Sequence, residues 1–189
     1  MKILLVLASF ILLPGFSWGQ AAAKPALSKI PLTAEQIAVY HAFLSGYKTG
    51  LDAPINVANE TEEFKADEND LQGCLKGFEP SAAPAGVHHF SDEFSDLRNI
   101  RIVDGKKHKI ADPGDAIRRG DPVDDAVKAG LAAGVLQVSE ILFNSTHHLA
   151  ALTYSFYCGR LCGSGATVVF ELKNGKWEKT KRFCSFWES

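Results

Sequence analysis

The stretch from Val135 to Ser189 constrains the fold most, because its apolar residues recur at strand rather than helical spacing. Leu136–Phe143, Leu149–Cys158, Ala166–Leu172 and Lys176–Phe186 read as four strands, joined through 144–148, 158–165 and Asn174-Gly175. Asn-Gly between two such runs is a hairpin signal, since both central positions of a type I′ turn need positive φ. That turn sets a register in which Leu172 faces Trp177, Phe170 faces Lys179 and Ala166 faces Phe183. Val168, Phe170, Leu172, Trp177 and Phe183 then share the face expected to meet the helices. Lys179 and Lys181 fall on that face too, so the last strand needs either an edge where lysines reach solvent or a bulge.

Upstream the period is helical. Thr33 and Gln36 have capping-box spacing, Leu32 and Ile37 hydrophobic-staple spacing. Ile37, Tyr40, Phe43, Leu44 and Tyr47 make one apolar face, which predicts a helix over 34–48. Ile55–Ala58 and Ile100–Val103 are short strand candidates. Acidic residues crowd 60–70 and favour a helix start, with a helix expected from about Glu68 to Lys76. Residues 79–90 read as loop, and a short helix is expected after Ser91. Asp112-Pro113 and Asp121-Pro122 each place a capping residue before a proline, predicting two helices. The second, 122–133, would carry Val123, Val127 and Leu131 on one face. The expected fold class is α+β: N-terminal helices packed on a C-terminal four-stranded antiparallel β-meander. Residues 32–189 form the single domain, with a helical half at 32–134 and the meander at 135–189.

The N-terminus reads as an address. Lys2 precedes a nearly unbroken apolar run, Ile3–Leu13, and small and helix-breaking residues lead to Gly19, the expected end of a cleavable signal peptide at 1–19. The run is too short to cross a bilayer, which takes about 20 residues. No cysteine stands near the cleavage point for a lipid anchor. Residues 20–31, rich in Ala, Lys and Pro, form a flexible leader. The expected location is secreted or periplasmic, with no membrane span in the mature chain. A hydrophobic content of 46% with 22% charged residues excludes general disorder, and a net charge of −2 gives no basis for nucleic-acid binding.

Four cysteines in an exported chain predict two disulfides. The preferred pairs are Cys158–Cys162, closing the glycine-rich turn, and Cys74–Cys184, tying the helical half to the last strand. The longer link would contribute about 4–5 kcal/mol in the chain-entropy account. The rival has Cys74 bonded into the turn and the remaining turn cysteine bonded to Cys184. Ser139-Glu140-Ile141-Leu142-Phe143, Tyr154 through Gly163, and Gly175-Lys176-Trp177 resemble a group of secreted bacterial proteins of uncharacterised activity. The resemblance is strongest over 135–189. It implies export and the meander and supplies no catalytic residue. In that group the two turn cysteines often occur without the other pair, which favours Cys158–Cys162.

The candidate chemistry is sparse. Cys-x-x-x-Cys is longer than a redox motif and precedes no helix, so a structural bridge is expected. His88-His89 and His147-His148 are the metal candidates. Neither pair has zinc-hydrolase spacing, and they make a site only if they converge beside a carboxylate. The acidic window Asp67-Glu68-Asn69-Asp70 lacks the glycine and terminal glutamate of a calcium loop. No nucleophile elbow occurs, no catalytic residue is assigned and no cofactor is expected. The expectation is a non-enzymatic exported domain that binds a small ligand or a protein partner, with Tyr157, Arg160, Phe186 and Trp187 as the candidate surface. The alternative is a small secreted or periplasmic enzyme, metal-assisted through the paired histidines.

Overall fold

A computed structural model describes residues 30–81, 86–182 and 184–189. The signal segment 1–19, most of the 20–31 leader, and Phe183 lie outside the described residues.

The chain runs α1 (Ala34–Gly46), β1 (Ile55–Ala58), α2 (Glu68–Gln72), β2 (Ile100–Val103), α3 (Pro113–Arg118), α4 (Val123–Ala133), β3 (Val135–Val138), β4 (Leu142–Phe143), β5 (Leu149–Gly159), β6 (Cys162–Lys173), β7 (Lys176–Lys179) and β8 (Phe186–Glu188). Thr33 caps α1 through a complete capping box with Gln36. Val39, Tyr40, Phe43 and Leu44 leave that helix for the main core, where they meet Val57, Leu136, Leu152, Val168 and Phe170.

The strands overturn the expected fold class. They form one mixed eight-stranded sheet in the order β2-β1-β3-β5-β6-β7, with β4 on β5 and β8 on β6. β1 lies parallel to both β2 and β3, and the remaining pairs are antiparallel. The domain is therefore sheet-dominated, with four helices of 13 residues or fewer, rather than helices packed on a four-stranded meander. Parallel pairing causes the difference: it joins segments far apart in sequence, and no local turn marks it.

The expected strand Leu136–Phe143 divides at Ser139–Ile141, where buried Glu140 turns toward other partners. Asn174 and Gly175 take the positive φ values that the hairpin turn demands, +50° and +75°. Leu172 faces Trp177 and Phe170 faces Lys179, as that turn requires. Further along, the register departs from expectation. The chain leaves the sheet after Lys179 and rejoins β6 as β8, so Ala166 faces Phe186 rather than Phe183. This excursion removes the need to place Lys181 against the core. β6 is covered on both faces, with Val168 and Phe170 toward α1 and Val169 toward Cys74, Leu75, Phe78 and Cys184.

Two helices also differ. α2 stops at Gln72 because Gly73 leaves helical geometry at φ −99°, ψ −106°, and the chain then turns Cys74 toward Cys184. The segment after Ser91 forms turns instead of a helix. α4 packs through Ala126 and Gly130, while Val123 and Val127 face solvent. A Cβ at Gly130 would strike the Pro113 ring and stand 3.0 Å from the Cys158 carbonyl oxygen, so the small residues set the close approach. Asn56 closes this corner by donating to the carbonyls of Ala132 and Gly134 at the end of α4, at 3.1 and 3.0 Å.

Candidate functional site

Tyr157 and Trp187 come together across β6 on one face of the sheet. Tyr157 of β5 faces Gly163 of β6, and Gly165 faces Trp187 of β8. A Cβ at Gly163 would lie 3.2 Å from the indole, and one at Gly165 would collide with it. Gly163 and Gly165 thus form a ledge against which the Trp187 ring packs. The Tyr157 ring stands 5.8 Å away, tilted by 39°. Both rings remain open to solvent, at 45% for Tyr157 and 42% for Trp187.

Several bonds hold β8 in place. Ser189 donates its amide to the Gly163 carbonyl at 2.9 Å. Ser185 donates its amide to buried Asp70 at 2.7 Å, and the Thr167 hydroxyl donates to the other Asp70 oxygen. Asp67 caps α2 by accepting from the Asp70 amide, which fixes that carboxylate against β6.

A groove of about 300 Å³ runs beside Trp187. Thr153, Ser155 and Thr167 lie on the same sheet face as Tyr157 and form its floor. Glu62, Glu63, Lys65, Asp67, Ser185 and Trp187 complete its lining, with the Ser185 hydroxyl donating to Asp67 at 3.4 Å.

The other two residues of the expected surface lie apart from this pair. Phe186 is exposed and reaches the groove's rim, but strand alternation directs its ring to the opposite side of the sheet edge. Arg160 is held at the β5–β6 turn, where its amide and guanidinium donate to Asp112 at 2.8 and 3.2 Å and its guanidinium reaches Asp115 at 3.0 Å. The Arg160 backbone amide, with the Asp115 amide and the guanidinium, holds the Asp112 carboxyl below its ordinary range.

Cys158 stands at disulfide distance from Cys162 and Cys74 from Cys184, with Cα separations of 5.0 and 5.1 Å. These are the pairs preferred from sequence. The smaller ring closes the turn that presents Arg160 and Leu161. Gly159 there has φ +155°, and a Cβ on it would lie 2.7 Å from the Pro113 ring.

The histidine pairs do not assemble a metal site among the described residues: none of the four belongs to a group of three donors within 4.8 Å of one another. Asp70, Cys74 and Cys184 do form such a group, but the two sulfurs are bonded to each other. His88 is buried and its Nδ1 meets Glu140 Oε2 at 2.7 Å. The other Glu140 oxygen accepts the His88 amide at 2.9 Å and the Thr61 hydroxyl. His89 approaches Glu60 at 3.8 Å. His147 stacks on Phe143 and meets Glu35 at 2.8 Å, while His148 turns to the Thr146 carbonyl at 2.8 Å.

Glu140 is the polar residue that sequence reasoning passed over. It is 1% exposed and joins three distant segments. Its signal was a carboxylate within an otherwise apolar strand pattern, where an unpartnered charge would be costly. Tyr40 lies close by and donates to the Ser139 carbonyl at 2.8 Å. Burial, and then the Glu140 charge, push its phenol well above the ordinary tyrosine value.

Among the described residues no helix is long and apolar enough to cross a membrane. No family model, curated protein or solved structure matches the chain.

Proposed function

We propose that this protein is an exported, non-enzymatic binding domain that takes a small ligand in the groove beside Trp187, whose ring neighbours that of Tyr157. One observation carries the reading: two neighbouring aromatic rings stay exposed on one face of the sheet, one of them packed against a glycine ledge. Glycines inside a strand weaken it, and exposed aromatic area favours self-association. A ligand that stacks on the rings gives both features a use. A volume of about 300 Å³ lies at the lower end of ligand-sized cavities. The signal-like N-terminus and the two bridges support export. The resemblance to secreted bacterial proteins agrees with export and leaves the ligand open.

The test is native purification from the exported fraction, followed by native mass spectrometry of the wild type and the Tyr157→Ala/Trp187→Ala variant. A co-purified mass present on the wild type and absent from the folded variant supports the reading. Equal retention by both proteins, or recovery of the bare polypeptide alone, overturns it. N-terminal sequencing of the same material is expected to begin at Gln20, and an intact Met1 contradicts the export arm.

A further inference from the structure

We infer that the ligand of this groove is a small organic cation, an alkylammonium or quaternary ammonium whose charged head lies over the Trp187 ring; this rests on the groove being the binding site. Trp187 carries the argument. Gly163 and Gly165 lie against its indole, which stays part-exposed and lines the groove. The face of an aromatic ring is its electron-rich side, and indole attracts cations most strongly of the natural rings. Tyr157 stands outside the groove with its ring 5.8 Å from the indole and tilted, so it extends the aromatic surface next to the site.

Charge around the rings points the same way. The groove is lined by the carboxylates of Glu62, Glu63, Asp67 and Asp70 against one ammonium, Lys65. Lys65 is itself paired with Glu63 at 3.5 Å. Among the described residues Glu62 has no ion-pair partner and stands exposed on the groove wall. An anionic ligand would meet net repulsion here. A neutral ligand with O–H or N–H groups would gain hydrogen bonds from the carboxylates, whereas a cation gains in addition their charge and the attraction of the ring. The hydroxyls of Thr153 and Ser155 on the floor add oxygen acceptors for N–H groups. The small volume favours a free cation over a basic stretch of polypeptide.

The experiment uses choline and its uncharged isostere 3,3-dimethylbutan-1-ol, which share shape and differ in charge. Each is titrated into the protein purified from the exported fraction while the indole N–H resonance of Trp187 is followed by NMR, assigned with Trp187→Phe. Choline is expected to shift that resonance saturably and the isostere to leave it unmoved. Glu62→Gln/Glu63→Gln, two exposed changes that spare the fold, is expected to weaken choline binding about five-fold. Equal binding of choline and isostere, or no loss in the Gln variant, overturns the cation assignment while the groove remains a binding site. No response to either compound also overturns it, and the mass-spectrometric comparison then decides the groove separately. A tri-lysine peptide that binds more tightly than choline would place the cation on a polypeptide and overturn the small-molecule assignment.

Discussion

Glu140→Ala is expected to be among the most destabilising single substitutions in the chain. The side chain accepts from the Thr61 hydroxyl, the His88 amide and His88 Nδ1, and all three residues are at least 96% buried, with exposures of 1% for Glu140, 3% for Thr61 and 4% for His88. Alanine leaves those donors without a partner where water cannot replace it. An unsatisfied buried donor costs about 1–3 kcal/mol, so losing one acceptor carboxylate that serves three donors is expected to cost about 3–5 kcal/mol. With an m-value of about 2 kcal/mol/M in urea, the midpoint should fall by about 1.5–2.5 M. The expected drop in melting temperature is about 6–20 °C for a domain of this size. Urea unfolding followed by circular dichroism reads the effect. A second comparison separates the pair from cavity formation: the His88→Ala/Glu140→Ala double variant should cost less than the sum of the singles by about 1–3 kcal/mol. A Glu140→Ala cost below about 1 kcal/mol, or strict additivity with His88→Ala, would refute the view that this cluster clamps three segments together.

Removing the long bridge, Cys74→Ala/Cys184→Ala, should destabilise more than Cys158→Ala/Cys162→Ala, by about 4.8 against about 2 kcal/mol in the chain-entropy account; equal urea midpoints would contradict the ordering. Gly165→Ala should lift Trp187 from its ledge, costing about 1–3 kcal/mol and shifting tryptophan emission to the red; an unchanged spectrum and stability would show that the ledge is not needed. The depressed Asp112 carboxyl predicts a pH effect confined to the β5–β6 turn. A lowered folded value contributes stability above the ordinary aspartate range, near 3.9, and that contribution is lost as pH falls through the folded value. Hydrogen exchange at the Arg160 amide, which donates to Asp112, should therefore be slow at neutral pH. Corrected for its intrinsic rate, it should lose protection in acid before the β6 core does, and simultaneous loss would contradict this.

Local signals in the sequence translated into structure where a few neighbouring residues decide the outcome. Thr33 and Gln36 cap α1, and Asn174-Gly175 places Leu172 opposite Trp177. Contacts between distant segments were not legible. β1 and β2 each offer four apolar-rich residues, but nothing local says that Ile55 pairs with Ile100 or that Asn56 pairs with Val135. α4 was read by its larger residues, Val123 and Val127. Close packing against Pro113 and β5 instead selected its smallest face, Ala126 and Gly130, because only small side chains permit that separation. At the candidate site, the aromatic character of Tyr157 and Trp187 was visible. Their shared face depended on β8 returning to β6 after the chain leaves β7, which puts Phe186 opposite Ala166. His88 and Glu140 lie 52 positions apart, and only the folded chain shows that each satisfies the other.

The central claim is that the part-exposed ring of Trp187 is a ligand platform. A crystal structure of the natively purified protein tests it most directly. The account predicts density for a bound small molecule stacked on that ring, between the indole and the carboxylates of Glu62 and Glu63. Density for a bound molecule at another site, with only water over Trp187, would contradict it.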